Sequence, residues 1–171
     1  MDKETLLKAK QGDKESLAAI FDQYADRLYR YVYIRIRDQV RSEDLVSVIF
    51  IKILENIDRL DISKNFEAWM FTIARNALID SLRKNRFVTA TEMIDIARDE
   101  VDHEENADTE ILIDEVRIYL EDLKGLEREV IELTYFGGLN DKEISKIIKK
   151  PVGNIRVIRF RAVKKLQQLL Q

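Results

Sequence analysis

The sequence predicts an all-α fold, and three observations carry that prediction. One proline and five glycines in 171 residues leave few of the tight turns that short strands require. A charged fraction of 36% beside 46% hydrophobic residues fits helices with solvated outer faces. In residues 66–86, FEAWMFTIARNALIDSLRKNR, Phe66, Met70, Ile73 and Ala77 recur at helical spacing, and Phe71, Ala74, Leu78 and Leu82 form a second apolar line beside them. A helix apolar over so much of its girth belongs at the centre of a domain. Its remaining polar stripe, Thr72, Asn76, Asp80 and Arg83, runs into the basic end Arg83, Lys84 and Arg86, where cations also suit the helix dipole.

Taken in order, the chain opens with a short helix, Lys3 to Lys10, stopped by Gly12 and Asp13. A longer helix follows from Lys14 to Arg37, with Leu17, Ile20, Phe21, Tyr24, Leu28, Tyr31, Val32 and Ile36 on a broad apolar face. Ser42 is the expected N-cap of the third helix, with Glu43 and Asp44 in its first turn. That helix carries Leu45, Val46, Ile49, Ile53 and Ile57 at core spacing and leaves Val48, Ile51 and Phe50 to face elsewhere, which predicts a partner. Residues 58–65, DRLDISKN, read as a loop able to offer apolar groups and amides to a ligand. Trp69 and Phe71 read as core rather than as stacking platforms.

Charge is segregated along the chain. Between residues 89 and 110 nine acidic side chains face Arg98 alone, which predicts an extended acidic linker. From residue 144 to 171 there is no acid, against Lys146, Lys149, Lys150, Arg156, Arg159, Arg161, Lys164 and Lys165. The last third reads as helices over 111–123 and 126–136, broken by Gly125 and stopped by Gly137 and Gly138. Asn140 caps the next helix with Glu143 as its capping-box partner and Leu139 and Ile144 in the staple positions. After the turn Lys149 to Gly153, a final helix buries Ile155, Ile158, Ala162, Leu166 and Leu169. This is helix-turn-helix anatomy, with Asn154, Arg156, Arg159 and Phe160 turned outward as types that reach base edges and phosphates. Such pairs also serve as plain packing units, and the pattern alone leaves both readings open.

Other function classes lack a residue set. With no cysteine, a single His103 in an acidic segment and no Gly-rich phosphate loop, neither a metal site, a cofactor nor a catalytic constellation is expected. No basic-then-apolar signal segment or membrane-length apolar run is seen, so the expected location is the cytoplasm, without membrane insertion.

The succession LAAIFDQYADRLYRYV, SEDLVSVIFIKIL, FEAWMFTIARNALIDSLRKNR and LEREVIELTYFGGLNDKEISKIIKKPVGNIRVIRFRAVKKL resembles the extracytoplasmic-function (ECF) sigma factors in order and spacing, outside the acidic stretch. The resemblance implies a sigma-2 helical domain over residues 1–88, a linker over 89–109 and a sigma-4 helix-turn-helix domain over 110–171. It implies a non-enzymatic promoter-specificity factor whose partners are core RNA polymerase, through the β′ clamp helices and β flap, promoter DNA, and an anti-sigma factor. Polymerase binding would fall on Asp44, Leu45, Ser47, Val48, Phe50, Ile51 and Lys52. The melted −10 strand would meet Leu60, Asp61, Ile62, Ser63, Lys64, Thr72, Arg75, Asn76, Asp80, Arg83 and Lys84. The −35 duplex would meet Asn154, Arg156, Arg159 and Phe160, with Lys142, Lys149, Lys150 and Lys164 on phosphates.

Two departures stand out. Ser47 and Val48 occupy positions where the family usually has Gln and Glu, and Arg159 and Phe160 replace polar residues of the recognition helix. The first implies weaker clamp binding and the second a different DNA sequence. A polymerase-independent helix-turn-helix regulator, dimeric on a palindromic site, is the alternative from another class.

Overall fold

The computed structural model describes residues 1–91 and 118–169, with side chains placed for 1–84 and 118–169, and every regular element among them is helical. The expected acidic linker, His103 and most of the 111–123 helix lie outside the described residues. Helix α1, Lys3–Lys10, is capped by Asp2, whose carboxylate accepts from the Thr5 N–H at 2.8 Å. Asp13 does the same for α2, Lys14–Ile36, which ends where Arg37 turns left-handed at φ 62°. Helix α3, Gln39–Asn56, begins earlier than expected. Its N-cap is Asp38, which accepts from Arg41 N–H at 2.8 Å, and Ser42 is instead buried in the first turn with its hydroxyl unpartnered. Asp38 is an equally good cap four residues upstream, and nothing between the two breaks a helix.

A short 3-10 turn, Ile57–Arg59, and a loop lead to α4, Phe66–Thr91, where Asn65 accepts from Ala68 N–H at 2.7 Å. The helix runs past Arg86 because no glycine or proline interrupts the following residues. Its Met70, Phe71, Ala74, Ala77 and Leu78 are buried, as expected of the central helix, and Trp69 packs half-buried against the same core.

In the last third, α5, Leu126–Ile131, passes into a π-helical turn, Glu132–Phe136, where a continuous α-helix was expected. The wider turn buries both Glu132 and Leu133. Helix α6, Asp141–Ile148, has the full Asn140–Glu143 capping box, and Lys149 reverses the chain at φ 57°. Helix α7, Val152–Leu169, starts two residues before Asn154 and buries Ile155 and Ala162, while Ile158 and Leu166 are half-buried and Leu169 is exposed.

The two halves pack against one another. One hydrophobic cluster contains Tyr31, Phe66, Met70, Phe71 and Ala74 together with Val130, Leu133, Leu139, Ile144, Ile147 and Ile155. A second joins Tyr33 and Ile34 to Leu120, Leu123, Ile131 and Ala162. Gly137 sits against α4, because a Cβ there would lie 3.1 Å from the Phe71 ring as well as 2.8 Å from the Leu133 carbonyl oxygen of its own segment. The two expected helical domains, joined by a tether, thus share an interior in this arrangement.

Candidate polymerase and nucleic-acid surfaces

Helix α3 offers a mixed outer stripe. Asp44, Ser47, Val48 and Ile51 are exposed, and Leu54, which sequence reasoning missed, extends the same line one turn further. Its signal was present, since Leu54 stands three residues after Ile51 on the face away from Ile49 and Ile53. Leu45 and Phe50 are corrections. Both are buried, and the Phe50 ring packs on Phe21 with centroids 4.6 Å apart, so they support the stripe without forming it. Lys52 is half-buried, and its carbonyl accepts from Asn56 Nδ2 at 2.8 Å.

The loop before α4 is built partly inward. Leu60 is buried and its carbonyl accepts from Lys10 Nζ at 2.6 Å, so its side chain cannot reach a ligand, and Ile62 is half-buried. Asp61 closes a small turn by accepting from Ser63 N–H at 3.1 Å and Ser63 Oγ at 2.7 Å. These bonds, then the nearby Lys64, hold its carboxyl below the usual range. Ser63 and Lys64 are exposed. On α4, Asn76, Asp80, Arg83 and Lys84 are exposed as expected, whereas Thr72 is half-buried and donates to the Ala68 carbonyl at 2.6 Å. Arg75 is engaged by Glu129 of α5, and that hydrogen bond, outweighing burial, raises its pKa.

Arg75 is one of several cations of the first half answered by acceptors of the second. Arg27 donates from Nη2 to Gly137 O at 2.8 Å and from Nε to the same oxygen at 3.1 Å, while pairing with Glu67. Arg37 pairs with Glu121, and Asn65 Nδ2 donates to Glu143 Oε1 at 3.0 Å. Most buried is Glu132, fully enclosed, which accepts from Arg35 Nε at 2.6 and 2.7 Å and from Arg128 Nε at 2.7 Å. Burial opposes the Arg35 charge, but the Glu132 hydrogen bonds and charge outweigh it and raise the pKa. Polar oxygens this enclosed need partners, and both of those of Glu132 have them.

On α7, Asn154, Arg156, Phe160 and Lys164 are exposed, as are Lys142 and Lys149, while Arg159 and Lys150 are half-buried. Asp141, at the start of α6, was not foreseen. Its Oδ2 accepts from Arg159 Nη2 at 3.0 Å and lies 3.5 Å from Arg156 Nε. Among the described residues no group of three or more His, Asp or Glu side chains could hold a metal, and no helix is long and apolar enough to cross a membrane.

Residues 20–88 match the family described as Sigma-70 region 2, and residues 119–168 match Sigma-70, region 4. The chain is 33% identical over 175 residues to the ECF RNA polymerase sigma factor BldN of Streptomyces coelicolor, covering 98% of this chain and 65% of that protein. It is 30% identical over 182 residues to the ECF RNA polymerase sigma factor SigW of Bacillus subtilis, covering 100% of this chain and 97% of that one. Two solved structures share the fold. CnrH in complex with the cytosolic domain of CnrY has a TM-score of 0.78 at 21% identity, covering 99% of this chain and 96% of that one. The sigma factor RpoE in complex with the anti-sigma factor NepR, from Bartonella quintana, has a TM-score of 0.63 at 24% identity, covering 89% and 96%.

Proposed function

This chain belongs to the ECF sigma factors of the sigma-70 family, and from that premise we propose how its surfaces divide the work of promoter-specific initiation. It is a non-enzymatic factor that directs core RNA polymerase to promoters. Residues 1–88 act as the sigma-2 domain and 110–171 as the sigma-4 domain, with 89–109 the linker between them. The stripe Asp44, Ser47, Val48, Ile51 and Leu54 docks on the β′ clamp helices, and an anti-sigma factor silences the protein by covering this apolar line. Asn76, Asp80, Arg83 and Lys84, with Ser63 and Lys64 of the adjoining loop, receive the melted −10 strand. Helix α7 enters the −35 major groove while the sigma-4 domain rests on the β flap. The site of action is the cytoplasm, where polymerase and chromosome are.

One observation carries this reading: two region matches in the expected order, each with its own exposed, chemically suitable face. The packed arrangement adds a requirement. Arg75 is occupied by Glu129 and the halves share a core, so reading two separated elements demands that these contacts give way when polymerase binds. Reconstitution with bacterial core polymerase on a genomic library, followed by sequencing of transcript starts, tests the reading. Defined starts preceded by a shared two-part motif are expected, and starts identical to those of core enzyme alone would refute it. Asn76→Ala should impair opening more than initial duplex binding.

A further inference from the structure

Helix α7 has an apolar crest. Opposite the buried Ile155 and Ala162, the outward line runs Gly153, Val157, Phe160 and Lys164, at steps of four, three and four. Val157 is 48% exposed and Phe160 70% exposed, and a Cβ built on Gly153 would meet nothing within 4 Å. Neither side chain contributes to the core, and two bare apolar groups at the centre of a cationic face call for a partner.

The arginines flank this crest without topping it. Arg159 lies back on α6, donating to Asp141 at 3.0 Å with its side chain 37% exposed, whereas Arg156 touches the same oxygen only at 3.5 Å and is 67% exposed. Around them Lys142, Lys146, Lys149 and Lys164 are exposed, and no acid occurs from residue 144 to 171. The partner is therefore polyanionic and yet offers apolar groups to the middle of the contact. The major groove of duplex DNA has that chemistry, because the 5-methyl of thymine is the apolar group among its base edges.

We propose that α7 reads thymine methyl groups through Val157 and Phe160, with Arg156 the cation that reaches the groove and Arg159 held off the DNA by Asp141. The inference rests on the promoter-reading function proposed above and deepens it by naming the base feature recognised and the residue that withholds one arginine. Asp141 is a positioning residue here, acting through Arg159.

The test uses the chain bound to core polymerase and promoter fragments carrying the upstream element found by transcript-start sequencing. Each thymine of that element is replaced singly by uracil, which keeps O4 and pairing but lacks the methyl. At one or more positions uracil should weaken binding about fourfold, the value of burying one methyl-sized group. That discrimination should vanish in Phe160→Ala or Val157→Ala, whose exposed positions leave the fold intact by circular dichroism. Arg156→Ala should weaken thymine and uracil fragments equally. Asp141→Asn should release Arg159, tighten binding and steepen the salt dependence by about one phosphate's worth, with the thymine-to-uracil ratio unchanged. Equal binding at every thymine of an element still in use overturns the inference while promoter reading stands. Absence of any upstream element removes the reading on which it rests. Crest variants that lose polymerase and leave the ratio unaltered would show that the crest meets protein, which also overturns it.

Discussion

Replacing Glu132 with glutamine removes the charge at the centre of the contact between the halves while keeping side-chain volume. Glu132 is fully buried, with Arg35 Nε at 2.6 and 2.7 Å from its two oxygens and Arg128 Nε at 2.7 Å. An amide can accept from one guanidinium but turns its own donor toward the other, so at least one charge-assisted hydrogen bond of about 1.5–3 kcal/mol is lost. Breaking a buried pair by removing one partner typically destabilises by about 3–5 kcal/mol. Here the arginine side chains keep 25% and 20% of their exposure, and water can take up part of the charge left behind. The lower end, about 3 kcal/mol, is therefore expected. At about 2–4 °C per kcal/mol for a chain of this size, the thermal midpoint should fall by about 6–12 °C. Urea unfolding of wild type, Glu132→Gln, Arg35→Met and the double variant gives the coupling directly, and it should exceed about 1 kcal/mol. A loss below about 1 kcal/mol for Glu132→Gln, or additive single effects, would show that this buried charge does not hold the halves together.

Other variants probe separate links. Burial, then the charges of Glu132 and Glu129, raise the Tyr31 pKa above its ordinary value of 10.0, so the fold favours the neutral hydroxyl. The resulting stability is full below about pH 10 and declines as pH rises beyond it, because unfolded tyrosine ionises first; Tyr31→Phe should flatten that decline in thermal midpoint, and an unchanged alkaline slope would contradict the assignment. Asn140→Ala removes the side-chain cap of α6 and should lower unfolding free energy by about 1 kcal/mol, with no shift in urea midpoint counting against the cap. Ile51→Glu, at a position 54% exposed, should leave the melting temperature nearly unchanged yet weaken core polymerase binding by about tenfold or more; undiminished affinity removes Ile51 from the docking stripe.

Local signals were legible and long-range ones were not. The span of α1, the Asn140–Glu143 capping box and the burial of Met70, Phe71 and Ala74 all follow from patterns within one or two helical turns. Ser42 misled because two capping residues competed and the upstream Asp38 allowed a longer helix. The contact between halves was invisible, since Arg35 and Glu132 stand 97 positions apart and no period in either segment marks them as partners. Val157 and Leu54 were passed over for a different reason. Each is a single aliphatic side chain on a helix face, and composition does not distinguish such a residue from one that packs inward. Arg156 and Arg159 look alike in the sequence, and only the structure shows Arg159 donating to Asp141 of the neighbouring helix.

On the function proposed, the two packed halves separate on polymerase to read two distant elements. The absence of cysteine makes a distance measurement direct, since Asp22→Cys and Lys124→Cys place one dye at an exposed position on each half, away from the DNA-facing residues. Energy transfer should be efficient in the free chain and fall sharply in the complex with core polymerase and promoter. There the −10 and −35 elements lie about 25 base pairs apart, roughly 85 Å of duplex at ~3.4 Å per step. Transfer that stays equally efficient in a transcribing complex would contradict the claim.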